Sequence, residues 1–340
     1  MIETVTAPAS PGRTLSVVDS HTCGQPTRVI CDGLPELEYD SIAGARDALR
    51  TNHDWIRRCT VLEPHGHPSL FCAALVAPLD PSCDAAVVFM DAAGYHDMCG
   101  HATIGVVTTL IELGRVRADE GEVGVSLETP LGRIDTRATV RGGRATQVAF
   151  VNQPSFQLEV LSIDWRGARH EVPVAFGGQW YAFLDARAAE LTIEPASVDE
   201  LVRAAAEVRP IVSEAVSRPD PRTGTPPQVG NIMWYDEPDG GEADGRNMPV
   251  NIAGNFDRSP CGTGTSARLA VLNAAGSLAI GEQYVNSGVL GMTYRGRILS
   301  ETAVGTHPAI VPEITGSAWI TGTGQIRLDP TDPLASGFDL

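Results

Sequence analysis

Apolar and polar positions fall in short blocks along this chain, and the blocks change period. Leu15-Ser16-Val17-Val18-Asp19 reads as a first strand, running through His21-Thr22-Cys23-Gly24-Gln25-Pro26 into Arg28-Val29-Ile30. Residues 40–58 carry helical spacing, with Ile42, Ala45, Ala48, Leu49, Trp55 and Ile56 apolar. Apolar runs at Leu70–Val76 and Ala85–Met90 predict strands, and Ile104 to Leu113 predicts an apolar helix stopped by Gly114. Strand patterns follow at Val123–Leu127, Gly132–Val140 and Ala145–Val151, then near Val172–Ala175 and Trp180–Leu184. A helix near Val198–Val208 and a strand at Asn231–Trp234 precede a second apolar helix, Ala267 to Ala275, stopped by Gly276. The chain then returns to strands, among them Arg297–Leu299 and Ala318–Ile320. Residues 1–13 read as a flexible lead, and 217–230 and 236–246 as polar, Pro/Gly-rich loops.

Composition narrows the class. The 340 residues suffice for about two domains, and 43% hydrophobic with 20% charged residues gives an ordinary globular core. A net charge of −17 argues against nucleic acid and anionic membrane surfaces as partners. It does not exclude small anions, because local backbone dipoles can outweigh a distant mean field. No run of about 18 apolar residues occurs, so no spanning helix is expected. All 25 basic residues are Arg, so no pyridoxal Schiff base can form and no Walker A lysine exists. The seven Cys are odd in number, irregularly spaced and free of CxxC pairs, and the start lacks an apolar leader segment. Reduced thiols in the cytoplasm are the expectation. Cys31, Cys59, Cys72 and Cys83 read as packing residues, as does Cys23 within its turn. His96-x-x-Cys99-x-His101 lacks a fourth ligand at sensible spacing, so no metal site is expected.

The stretch that carries chemistry is Asp257-Arg258-Ser259-Pro260-Cys261-Gly262-Thr263-Gly264. A turn ends in Cys261, small residues follow, and the pattern turns helical. Free N–H groups at a helix start favour anions, so a thiol there is expected to ionise readily and a carboxylate to find a cradle. The chain contains a second such place. Cys99-Gly100-x-x-Thr103 matches Cys261-Gly262-x-x-Thr265, and the two Cys stand equally far from Gly114 and Gly276. Gly132-Arg133-Ile134 and Gly296-Arg297-Ile298 extend the echo. Two related α/β halves, each presenting a Cys at a helix start, are the reading. Inverting a carbon that bears an acidic hydrogen needs proton removal on one face and delivery on the other, which two opposed thiols supply.

Met98-Cys99-Gly100-His101-Ala102-Thr103-Ile104-Gly105 and the Asp257 to Ala270 stretch resemble the two catalytic motifs of the proline racemase family. Asp19-x-His21, Gly24 and the ending Asp332-Pro333 with Gly337-Phe338 add weaker likeness. The resemblance implies an α/β (α+β), diaminopimelate-epimerase-like fold: two pseudo-symmetric halves, each a sheet around a central helix, with the site in the cleft between. The boundary is drawn at residue 135, with 1–135 bearing Cys99 and completed by 320–340, and 136–319 bearing Cys261. It further implies cofactor-independent proton transfer on a proline-like imino acid, and a homodimer. Carried over by motif position, Cys99 and Cys261 are the acid/base thiols. Gly100, His101, Gly262 and Thr263 resemble the groups that bind the substrate carboxylate and ring. Asp257 resembles the carboxylate near the ring nitrogen, although it could also only cap its turn. Where family members often carry a His ahead of a strand, this chain reads Gly230-Asn231-Ile232. The dehydratase branch typically replaces the second Cys by Thr, so Cys261 favours inversion. Ala243-Asp244-Gly245-Arg246-Asn247 and the run from Met98 to Gly114 look most like the 4-hydroxyproline 2-epimerases, with proline racemase as the alternative and, from a different class, a non-catalytic redox protein that uses Cys99 and Cys261 as a disulfide switch.

Overall fold

The computed structural model describes residues 12–237 and 240–338; most of the N-terminal lead lies outside them. Two strands open the chain, β1 (Arg13–Thr22) and β2 (Gln25–Asp32), followed by α1 (Ile42–Asn52) and α2 (Trp55–Val61). Then come β3 (Phe71–Val76), β4 (Ala85–Met90), β5 (Tyr95–His96), α3 (Gly100–Glu112), β6 (Gly121–Thr129), β7 (Gly132–Arg141) and β8 (Arg144–Val151). The next stretch holds β9 (Phe156–Trp165), β10 (Ala168–Phe176), β11 (Trp180–Asp185), α4 (Val198–Ala215), β12 (Asn231–Asp236), β13 (Gly245–Val250) and α5 (Gly262–Ala274). Four strands close the described chain: β14 (Gln283–Ser287), β15 (Thr293–Val304), β16 (His307–Gly316) and β17 (Ala318–Leu328).

The pairing order repeats. One set runs β17-β1-β2-β3-β4-β6-β7-β8, the other β9-β10-β11-β12-β13-β14-β15-β16. In both, the third and fifth pairings are parallel and the rest antiparallel. A parallel step needs a crossover, and helices supply it in both sets. α1 with α2, and α4, cross at the first parallel step; α3 and α5 cross at the second. Antiparallel pairing of β8 with β16, Val151 opposite Glu313, joins the sets. Each set curls until its ends meet: Ser317 Oγ, at the head of β17, donates to Thr146 O of β8, and Ser155 bridges to Ile310 of β16.

The curl encloses a helix. α3 is buried from Gly100 to Ile111, and α5 from Gly262 to Val271. Helices whose small, apolar and internally hydrogen-bonded side chains face every direction are stable only when surrounded. Both end on a left-handed glycine, Gly114 (φ 67°) and Gly276 (φ 71°), with Arg115 N donating to Leu110 O and Ser277 N to Leu272 O.

Two expectations are corrected. The helical stretch 40–58 is two helices: the backbone leaves α1 at His53, and Asp54, ion-paired with Arg57, starts α2. The break is the backbone turn at His53, at φ −138° and ψ 27°, outside the helical range. The boundary at residue 135 falls inside β7, whose Ala138 and Val140 pack with Val148 and Phe150 of β8 in the core around α3. The first set of strands therefore extends to Val151.

Candidate active site

The two buried helices meet start to start. A Cβ built on Gly100 would stand 2.8 Å from Phe150 Cζ and 3.3 Å from Gly262 Cα. One built on Gly262 would stand 3.2 Å from the same Phe150 atom and 3.3 Å from Gly100 Cα. Only glycine at both positions lets the helices approach this closely. The pocket at this junction is lined by Cys99, Gly100, His101, Asp257, Cys261, Gly262 and Thr263, all seven residues singled out from the sequence. Gly100 and His101, like Gly262 and Thr263, belong to first helical turns, whose N–H groups have no intrahelical acceptor. Both helix starts therefore line one pocket, and free N–H groups at helix starts favour anions.

The thiols sit in different settings. Cys99 has extended backbone (φ −146°), and its Sγ lies 3.2 Å from His101 Nδ1. Cys261 is held at φ 64°, a conformation side chains other than glycine rarely adopt. The turn before it holds it there. Ser259 N donates to Asp257 Oδ1 (2.8 Å) and Cys261 N to Ser259 Oγ (3.1 Å). The Pro260 carbonyl accepts from Asn247 Nδ2, Asn286 Nδ2 and Thr265 Oγ1, at 3.0, 3.2 and 3.0 Å. Cys261 Sγ accepts from Gly264 N (3.4 Å) and lies 3.4 Å from the Tyr181 hydroxyl. Asp257 thus caps its turn and also lines the pocket.

The easy ionisation expected of the thiols is corrected. Burial pushes Cys99 well above the usual thiol range, and the Ala102 N–H offsets it only in part. Burial, with the Asp257 carboxylate adding to it, pushes Cys261 up to about 12. Helix-start donors lower a thiol pKa where water reaches it; here desolvation wins. Burial also lowers the His101 pKa, so the imidazole beside Cys99 is neutral at neutral pH.

The pocket has further walls that motif spacing does not reveal. Asp91 Oδ1 lies 2.9 Å from His96 Nε2, and Phe71 packs edge-on to His101, ring centroids 4.9 Å apart. Gln179, Asn231, Asn251 and Asn255 form a polar side. Asn231 Nδ2 donates to Gln179 Oε1 (3.2 Å) and Trp180 O (3.0 Å). Cys23 lies outside this pocket, its thiol directed at the Thr293 and Ser317 carbonyls. Among the described residues, no three His, Cys, Asp or Glu side chains converge as a metal-ligand set, and no helix is long and apolar enough to cross a membrane.

Comparison with known proteins places this geometry. The family model described as proline racemase matches residues 17–339. The proline racemase of Clostridioides difficile is 39% identical over 330 residues, covering 96% of this chain and 98% of that protein. The 4-hydroxyproline 2-epimerase of Streptosporangium roseum is 36% identical over 328 residues, covering 96% and 98%. The crystal structure of a hydroxyproline epimerase from Agrobacterium vitis with bound trans-4-hydroxy-L-proline superposes with a TM-score of 0.86 at 31% identity, covering 98% of this chain and 96% of that one. With the match running through both Cys-bearing helices and the strands that enclose them, the chain belongs to the proline racemase family.

Proposed function

We propose that this protein is an epimerase that inverts Cα of a proline-like imino acid without a cofactor, with Cys99 and Cys261 as the two bases. The observation that supports this reading is the junction of α3 and α5, where Cys99 and Cys261 line one pocket at two facing helix starts. The substrate carboxylate takes N–H groups from Gly100, His101, Gly262 and Thr263. Asp257 faces the ring nitrogen. One thiolate removes the Cα proton from one face, and charge moves onto the cradled carboxylate. The opposite thiol gives its proton to the other face and becomes the thiolate. Each turnover leaves the roles exchanged, so the reverse reaction uses the same machinery.

The substrate proposed is 4-hydroxyproline, trans-4-hydroxy-L-proline giving cis-4-hydroxy-D-proline. Its support is the polar wall of Gln179, Asn231, Asn251 and Asn255. A ring hydroxyl would find donors and acceptors along this half-exposed wall, where plain proline would present only a methylene. Proline racemisation is the second reading, favoured by Phe71 and Phe256, which give the pocket an apolar side. Chiral chromatography on L-proline and on cis- and trans-3- and 4-hydroxyprolines decides between them. Higher kcat/KM on proline than on either 4-hydroxyproline overturns the substrate assignment. Formation of a pyrroline product from 3-hydroxyproline overturns the epimerase assignment. Cys99→Ala and Cys261→Ala should each abolish inversion; near wild-type turnover in either removes the two-thiol reading.

A further inference from the structure

Tyr181, at the second position of β11, is a fully buried tyrosine that no motif marks. Its hydroxyl lies 2.7 Å from Thr263 Oγ1 and 3.4 Å from Cys261 Sγ. Thr263 Oγ1 is itself 3.7 Å from that sulfur. Among the described residues Cys99 has no hydroxyl partner; its neighbour is the His101 ring. The two thiols are therefore served by unlike groups, a neutral base on one side and a neutral acid on the other. We infer that Tyr181 is a positioning residue for Cys261, its hydroxyl holding the sulfur in place and donating to it when it is the thiolate.

The hydrogen-bond inventory makes this state-dependent. A phenol has one proton to give. While Cys261 is a thiol, that proton goes to Thr263 Oγ1, the nearer atom. When Cys261 is a thiolate, a charge-assisted bond to sulfur is the stronger use of it. Thr263 then turns its own hydroxyl proton toward the Tyr181 oxygen, so both groups stay paired. Other titratable groups around Cys261 are Asp257 on its own turn, Cys99 at the facing helix start and Tyr294 on β15. Of these Asp257 opposes the negative charge, while Tyr181, Thr263 and the Gly264 N–H favour it. Burial keeps Tyr181 protonated far into the alkaline range, so the donor persists wherever the thiol titrates.

This inference rests on the two-thiol reading for its catalytic meaning but is tested without turnover. The full chain and Tyr181→Phe are alkylated with iodoacetamide across a pH series, and the Cys99 and Cys261 peptides are followed separately by mass spectrometry. In Tyr181→Phe the Cys261 profile should move up by about one pH unit, so that alkylation at a fixed pH slows by roughly tenfold. Cys99 should stay within about twofold of wild type. An unchanged Cys261 profile, or an equal shift at both cysteines, overturns the inference, the second because loosened packing acts on both. Should the Phe variant not fold, site-specific 3-fluorotyrosine at this position keeps the bulk and donates more strongly. It should move the Cys261 profile down, and no movement is equally fatal. Activity in Cys261→Ala would overturn the two-thiol reading, while the Tyr181 hydrogen bond would still be measured by alkylation of the unaltered chain and Tyr181→Phe.

Discussion

Gly100→Ala adds one methyl group at the tightest point of the molecule. The new carbon would stand 2.8 Å from Phe150 Cζ and 3.3 Å from Gly262 Cα. Comfortable carbon–carbon contact is about 3.5–4.0 Å, so the ring must retreat by roughly 1 Å or the helices must part. Phe150 has little freedom to retreat: it is 1% exposed and sits on β8, paired on both sides by β7 and β16. Overpacking of this kind costs about 1–3 kcal/mol of stability. The catalytic cost is larger. Parting the helix starts moves the thiols and the carboxylate donors together, and a 1 Å misplacement of reacting groups costs about 100-fold. We expect kcat/KM, followed by polarimetry, to fall by between about 10-fold and 100-fold, with a lower urea midpoint. Gly262→Ala should be milder, because its methyl would meet Phe150 at 3.2 Å rather than 2.8 Å. Phe150→Leu, by shortening the obstructing ring, should restore part of the activity to Gly100→Ala. Full activity and stability in Gly100→Ala, or no relief from Phe150→Leu, would refute the idea that helix contact sets the site.

Three further outcomes follow from the same geometry. Below the thiol pKa values kcat/KM should climb with pH, approaching tenfold per unit between about pH 6 and 8, because the active form carries one ionised thiol and burial holds both thiols high; a plateau reached by neutral pH contradicts this. Cys59, Cys72 and Cys261 are pushed up to about 12 and Cys23 to about 11 by burial. The folded chain therefore keeps protons that the unfolded chain releases above about pH 8.5, and stability, whole below that pH, should fall toward pH 12 by about 1.4 kcal/mol per pH unit per thiol; urea midpoints flat between about pH 8 and 10.5 would be inconsistent with it. Pyrrole-2-carboxylate, flat at the carbon that bears the carboxylate, should inhibit competitively and shield Cys99 and Cys261 from iodoacetamide; protection mapped to Cys23 or Cys72 instead would place the ligand elsewhere.

Much of the site was legible because it is local in sequence. Each Cys precedes its own helix start, so Cys99 with Gly100 and His101, and Cys261 with Gly262 and Thr263, are adjacent before folding brings the two sets together. The matching intervals to Gly114 and Gly276 disclosed the repeat that the strand order now displays. What escaped depends on long-range contact. Tyr181 stands 80 residues from Cys261, and no periodicity links a strand tyrosine to a distant thiol. The polar wall draws on the bend before β11, the start of β12 and the turn beyond β13. β16 escaped for a local reason: Pro308 and Pro312 lie within it and argue against a strand, yet it pairs with both β15 and β8. The thiol pKa values were misjudged because a helix start was read without its surroundings, and burial depends on the whole fold.

That misjudgement bears on how the chemistry works. A hydrogen on the α-carbon of an amino acid is only weakly acidic, and a base removes it more readily the higher the base's own pKa. A thiolate made easily by helix dipoles and exposure would be a poor base for this proton. Burial does the opposite: it makes each thiolate scarce and strong. Scarcity then has to be limited, or too little enzyme would carry the charge. The local donors do this, the Ala102 N–H at Cys99 and the Gly264 N–H with Tyr181 at Cys261. In the proposed mechanism the thiols exchange roles at every turnover, so neither can be tuned alone. A thiol stabilised as thiolate far beyond its partner would act well as base and badly as acid, stalling the next turnover in the opposite direction. Unlike neighbours on the two sides, an imidazole at one and a phenol at the other, are compatible with reversible inversion only if they leave the two proton affinities close. On this reading the pair is balanced through different means, and substitutions on either side should be judged by the gap they open between Cys99 and Cys261 rather than by the shift they cause at one.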